Sequence, residues 1–312
     1  MSIGDTAFHV LDDTLVAAIL GHWDVGTNVS VRRHGRGMNS ATWLVTTSTG
    51  RWIAKAVPGS AAAQFDAGLL VAASIEAAGL PAGAPLPTIA GDVSIPVVGC
   101  RLALLRYIAG QELNRVNPTE QRLWGATLAR AHSLLQFLPP PPGIQSWHWV
   151  DPAAPHLDIE PWVRPALQGA VERLHALQEE VPLTNGILHA DPAPEAFLVD
   201  SQGRAAIIDW GSVTWGPLLY DIASARLYAG EEPSFANVLA GYLGIRPLPS
   251  EEMIALPDFL LFRWAVQADY FARRIWSNDL TGVTGPSEND DGLRAARYYL
   301  LGAQPQAAWV EL

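Results

Sequence analysis

The chain has one cysteine, Cys100, in 312 residues. A single thiol closes no internal disulfide and builds no multi-cysteine metal site. Cys100 lies between Val97-Val98 and Leu102-Leu104, which reads as a buried structural thiol rather than a nucleophile. Charge is also sparse: 16% of residues are charged against 49% hydrophobic, the composition of a globular chain and not of a disordered one. Basic residues are outnumbered, 20 Lys and Arg to 31 Asp and Glu, for a net charge of -11. That balance argues against a nucleic-acid partner and mildly favours a cationic small one. No apolar run approaches a membrane span, and Asp5, Asp12 and Asp13 stand where a signal peptide carries positive charge. The expectation is a cytoplasmic protein with no membrane partner. Internal repeats are absent, and His148 and His156 lack the spacing of metal ligands.

What is present has a clear order. Residues 28–57 alternate as a β-meander: Val29 to Arg33, a turn at His34-Gly35-Arg36-Gly37, Thr42 to Thr47, a turn at Ser48-Thr49-Gly50, then Trp52 to Val57. Gln64 to Ala78 has apolar residues at helical spacing, ended by Gly79 and Pro81. Strand-like runs follow at Val93–Val98 and Arg101–Ile108. Beyond them the pattern turns helical, over Glu120–Phe137, Pro161–Glu180 and from Tyr220 nearly to the end. A short strand, Gly186 to Leu188, and a hairpin, Phe197–Val199 with Ala205–Ile208, interrupt the helices. The expected fold class is α+β with two lobes. Residues 1–108 form a small β-rich lobe with one helix, and residues 109–312 a larger, mainly helical one.

Two carboxylates flank that hairpin. Asp191 precedes it and Asp209 follows its last strand, so a hairpin of this size returns both to one end. Paired carboxylates on a rigid hairpin suit phosphoryl transfer: one orients a hydroxyl and accepts its proton, the other holds magnesium on nucleotide phosphates. Asp residues that merely cap turns are equally compatible with the spacing. Lys55 ends the apolar run Ile53-Ala54-Lys55, and strand alternation puts it on the opposite face from Trp52 and Ala54.

Two strings here resemble the aminoglycoside phosphotransferase-like kinases, a branch of the protein-kinase-like fold. The family's His-Gly-Asp-Leu-His-Pro-Gly-Asn stands as His189-Ala190-Asp191-Pro192-Ala193-Pro194-Glu195-Ala196. Its Ile-Asp-Trp/Phe-Gly stands as Ile208-Asp209-Trp210-Gly211, followed by Tyr220-Asp221-Ile222-Ala223. The resemblance covers roughly residues 25–280. It implies ATP and Mg2+, with a small-molecule hydroxyl as acceptor. Asp191 would be the catalytic Asp and Asp209 the principal magnesium ligand. Lys55 would contact the α/β-phosphates, under a loop from Arg33 to Asn39 that covers them with backbone amides, helped by Gly35 and Gly37. Asp221 would brace the catalytic loop, and His189 would hold it. Backbone groups near Leu105, Arg106 and Tyr107 would face adenine.

The strings also depart from the family. The Asn that ligates a second metal is Ala196 here, and the adjacent Glu195 is the candidate replacement. An enzyme working with one magnesium and a site that binds without catalysis are the alternatives. Asp66 is the best-placed helix partner for Lys55, in place of the family's Glu. His132 reads as packing. In the helical lobe, Asp269 and Arg273 are placed to pair, while Arg263, Arg273 and Arg274 would suit an acidic acceptor and the acids an amine-bearing one. A protein substrate ranks last, because Gly211 to Pro217 is short for an activation segment. Oligomeric state is not legible.

Overall fold

Strand alternation in the first hundred residues gives the sheet two different faces, and a helix covers each. The computed structural model describes residues 3–35, 37–147, 150–230 and 232–302; Arg36 of the expected phosphate loop and His148 lie outside them. In chain order the first elements are α1 (Ile3–His22), β1 (Ser30–Arg33), β2 (Ala41–Thr46), β3 (Arg51–Pro58), α2 (Ala62–Ala77), β4 (Ile95–Val97) and β5 (Cys100–Arg106). The strands form an antiparallel sheet in the order β1-β2-β3-β5-β4. Ala54 and Ala56 pack with Trp43, Val45, Leu102 and Leu104 beneath Leu11, Leu15 and Ile19 of α1. On the other face, Val57 and Ala103 pack against Phe65 and Leu69 of α2. Lys55 belongs to that second face, on the central strand, in register with Thr42 and Ala103. The sequence reading missed α1, whose Phe8, Leu11, Leu15 and Ile19 recur at three- and four-residue spacing.

The rest of the chain is mainly helical. It comprises β6 (Gln111–Glu112), α3 (Pro118–Leu135), β7 (Gln145–Ser146), α4 (Val163–Glu180), β8 (Asn185–Leu188), β9 (Phe197–Val199), β10 (Ala205–Ile207), β11 (Thr214–Pro217), α5 (Leu219–Ala229), α6 (Glu232–Leu243), α7 (Ser250–Met253), α8 (Leu256–Trp276) and α9 (Pro286–Arg297). Asn117 caps α3, its side chain accepting the Thr119 amide at 3.0 Å ahead of Pro118 at the first helical position. Trp124 is fully buried and donates its indole N–H to the Pro192 carbonyl at 3.1 Å, which ties α3 to the loop ahead of the hairpin. The hairpin is β9–β10, with Phe197 opposite Ile207. No helix among the described residues is long and apolar enough to cross a membrane.

Candidate active site

The hairpin's closing end sets the site. Phe197 pairs with Ile207, and the Ile208 amide donates to the Ala196 carbonyl at 2.8 Å. The loop that starts at His189 and the one that starts at Asp209 therefore leave the hairpin side by side. His189 joins them, its Nε2 2.8 Å from the Ile208 carbonyl and its ring edge-on to Trp210 at 4.7 Å between centroids.

Asp221, fully buried at the start of α5, braces this loop as the resemblance implied. Its carboxylate accepts the His189 amide at 2.8 Å and the Ala190 amide at 2.7 Å. His132 Nε2 lies 2.9 Å from the same group, and His132 Nδ1 lies 2.7 Å from the Tyr242 hydroxyl. The Nε2-protonated tautomer satisfies both neighbours. His132 is thus a polar link and not simple packing. The brace holds Ala190 at φ +66°, a left-handed conformation that costs a residue with a Cβ about 1 kcal/mol.

Asp191 follows directly. Its Oδ1 accepts from the Tyr228 hydroxyl and from Arg263 Nη2, the latter at 3.2 Å. Arg263 also reaches Tyr228 at 3.0 Å and Ser224 at 3.2 Å. Burial pushes the Tyr228 phenol up from its ordinary range, so it stays a donor. One oxygen of Asp191 is fixed in this way, while the side chain remains 47% exposed. Arg263, one of three arginines that the sequence left open as contacts for an acidic acceptor, is the buried partner of Asp191.

Lys55 pairs with Asp209 across the two lobes. Asp209 sits in the left-handed region at φ +65°, which Asp tolerates better than most residues. The Lys55 ammonium holds the Asp209 carboxyl below the usual carboxylate range. The lysine is nearly buried, whereas the Asp209 side chain is 60% exposed, so its outer face is open to a further cation. Lys55 is also the only lysine in the chain, a signal the sequence reading did not use.

Two expected contacts are corrected. Asp66 does not reach Lys55: it takes three bonds from Arg101, at 2.8, 3.1 and 3.2 Å, and one from Ser94. The other acid of α2, Glu76, accepts the Ala82 and Ala84 amides at 3.2 and 3.1 Å and pairs with Arg106. What α2 presents to the loop after Asp209 is Gln64, which donates to the Val213 carbonyl, and Gly68, where a Cβ would fall on the Trp210 carbonyl oxygen. Leu105 is corrected as well. Arg106 donates to Ala84 and Leu104 accepts from Leu86, so by alternation the Leu105 backbone faces Ile53 inside the sheet. Tyr107 is the first residue past β5, with Arg51 stacked on its ring at 4.2 Å.

Gly35 has φ +69°, and Gly37 approaches the Ser40 carbonyl too closely for any Cβ. Both glycines lie in the β1–β2 turn. Glu195 is exposed, yet desolvation by the surrounding chain raises its carboxyl, and the charges of Asp191, Glu112 and Asp209 raise it further. Asp269 bonds His156 at 2.7 Å and not Arg273. Among the described residues no cluster of three or more His, Cys, Asp or Glu could hold a metal. Asp209 with Glu195 nearby still fits magnesium, which usually takes one or two carboxylates and completes its shell from phosphates and water.

A lysine on the central strand of a small sheet, an Asp after a hairpin in the facing lobe and a braced acid before it define a phosphotransferase of the protein-kinase-like fold. The chain belongs to the phosphotransferase enzyme family, which it matches over residues 30–251. It is 26% identical over 283 residues to a homoserine kinase from Methylobacillus flagellatus, covering 86% of this chain and 84% of that one. To a homoserine kinase from a Caulobacter species it is 26% identical over 278 residues, 85% of this chain and 86% of that one. Among solved structures, a microcompartment-associated aminopropanol kinase superposes with a TM-score of 0.73 at 20% identity, over 93% of this chain and 95% of the other. An amicoumacin kinase solved with AMP-PNP and calcium gives 0.74 at 15% identity, over 93% and 92%. Both share the fold.

Proposed function

We propose that the protein transfers the γ-phosphoryl group of ATP to a hydroxyl of a small, amine-bearing molecule. The observation that carries this reading is the Lys55–Asp209 pair between the lobes, beside an Asp191 with one oxygen fixed and its side chain half exposed. Residues 1–108 would hold the nucleotide. The loop with Gly35 and Gly37 covers its phosphates, Lys55 contacts them, and the connection at Tyr107 meets the adenine. Residues 109–312 would hold the acceptor. The Asp191 oxygen not engaged by Tyr228 and Arg263 orients the acceptor hydroxyl and takes its proton. The oxygen so freed bonds to phosphorus as the bond to ADP breaks. Asp209, with Glu195 as a second carboxylate, would hold magnesium, which would supply neutralisation of phosphate charge. The acidic field of Asp191, Glu195, Glu112 and Asp209 supports an acceptor that carries an ammonium group, and homoserine and aminopropanol, in the names of similar proteins, are both amine-bearing alcohols.

A second reading has its own observation. Ala196 is buried, has no ligating atom and occupies the family's metal-binding position, which favours a protein that binds nucleotide with little turnover. One assay separates the two. ADP release is measured with MgATP against homoserine, aminopropanol, choline and amino-sugars, with Asp191→Asn as control. Turnover lost in the variant supports transfer. ATP binding with no turnover on any acceptor supports the second reading, and no ATP binding overturns both.

A further inference from the structure

Helix α8 touches both halves of the site from one face. Arg263, Gln267, Tyr270 and Arg274 stand four, three and four residues apart, a single stripe about 16 Å long. At its start Arg263 bonds Asp191. Toward its end the stripe meets the β1–β2 turn of the opposite lobe. The Tyr270 hydroxyl donates to Asn39 Oδ1 at 3.0 Å, and Arg274 Nη1 donates to the Met38 carbonyl at 3.2 Å. A third approach is backbone on backbone. A Cβ on Gly282, which has φ +75°, would lie 2.6 Å from the Gly37 carbonyl oxygen and 2.8 Å from the Met38 Cα.

Arg274 builds the corner that makes this approach possible. Its side chain is 3% exposed. It donates to Asn289 at 2.9 Å, to the Thr281 carbonyl at 2.6 Å and to Asp279 at 3.2 Å, and Nη1 lies 3.4 Å from the Tyr270 hydroxyl. Asn289 donates in turn to the Asp279 carbonyl at 2.9 Å. The segment after α8 is therefore fixed, and it presents Gly282 to the turn as a rigid edge.

We propose that Tyr270 and Arg274 are positioning residues for the donor phosphates, acting through the turn Gly37–Asn39. The inference rests on the nucleotide reading of that turn. Because α8 also carries the partner of Asp191, one rigid helix sets the spacing between the acid that activates the acceptor and the loop that covers the donor. Ordering the turn in advance lowers the entropy lost when phosphates bind.

The test is calorimetric titration of the full chain with MgATP and, separately, with adenosine, which has no phosphates for the turn to cover. Tyr270→Phe and Asn39→Ala each break the Tyr270–Asn39 hydrogen bond, Tyr270→Phe losing the longer contact from Arg274 as well, and each weakens MgATP by about 3- to 10-fold. Adenosine affinity and the urea midpoint stay at the wild-type values. The double variant is no weaker than the poorer single variant, because both changes break the same contact. Arg274→Lys keeps the charge, loses the fork and weakens MgATP further. Should that variant unfold, the two single variants decide the matter. Wild-type MgATP affinity in both of them, or an equal loss for adenosine, overturns the proposal. If the wild type binds adenosine but gains nothing from the phosphates, the nucleotide reading of the turn fails and the positioning role fails with it.

Discussion

Asp221→Asn isolates the brace under Ala190-Asp191. The carboxylate receives two backbone amides, at 2.8 and 2.7 Å, and faces His132 Nε2 at 2.9 Å, all fully buried. Hydrogen bonds to a charged acceptor contribute about 1.5–3 kcal/mol each, and a buried donor left without a partner costs about 1–3 kcal/mol. The asparagine oxygen can keep the His189 amide and His132. Its NH2 then meets the Ala190 N–H, donor against donor. The expected loss is therefore that of one charged bond replaced by a stranded buried donor, about 1–3 kcal/mol. Asp221→Ala strands every donor and should lose about 3–5 kcal/mol, a large part of the whole stability of a domain. Urea unfolding followed by tryptophan fluorescence reads both variants. Exposed Asp290→Asn is the control, expected within about 0.5 kcal/mol of wild type. Those amides also hold Ala190 in its left-handed conformation and so aim Asp191. Asp221→Asn should accordingly lower kcat even in buffer where it is fully folded. A loss below about 0.5 kcal/mol for Asp221→Asn would refute the argument, because no buried carboxylate with these donors can be neutralised so cheaply.

Gly68→Ala gains about 0.5–1 kcal/mol of helix propensity, but its methyl falls on the Trp210 carbonyl, where overpacking costs about 1–3 kcal/mol; the expected net is destabilising, with nucleotide binding weakened, read by thermal shift with and without MgATP. The Lys55–Asp209 pair should give a pH-dependent contribution. The folded pKa of Asp209 lies below its unfolded value, so the contribution is complete above the unfolded pKa of about 3.9 and is lost as pH falls through the folded value. In metal-free buffer the stability gap between wild type and Lys55→Met should narrow as pH is lowered from about 6 towards 2, and a constant gap would refute the pairing. Acylation with an amine-selective reagent should modify Lys55, the only ε-amine, slowly. Asp209→Asn should speed the Lys55 reaction and MgATP should block it, both readable by peptide mapping.

The two-lobed order, the hairpin and the pair Asp191 and Asp209 were legible because each rests on local patterning: alternation, turn residues and a fixed separation along the chain. Helix α1 was legible in principle from Phe8, Leu11, Leu15 and Ile19. What covers Asp191 was not. Arg263 lies 72 residues from Asp191, and Arg274 lies 236 residues from Met38. Only the packed orientation of α8 decides which of its arginines meets an acid and which meets a loop. From sequence, Arg263, Arg273 and Arg274 are equivalent cations. In the fold the first is buried on Asp191, the last is buried under the turn, and Arg273 remains exposed.

The misassignment of Asp66 has the same origin and a further consequence. Helical spacing places Asp66 one turn from the start of α2 but does not say which way the helix is rolled on the sheet. Phe65 and Leu69 fix that roll by packing on Val57 and Ala103, and they send Asp66 outward to Arg101 and Ser94. Gly68 then lets the helix close directly on the Trp210 backbone, with Glu76 held at the far end by Ala82, Ala84 and Arg106. With both acids of α2 engaged elsewhere, the Lys55 charge is balanced from the opposite lobe by Asp209. A substitution that rolls α2, such as Phe65→Ala, should therefore disturb the Lys55–Asp209 pair although it alters neither residue.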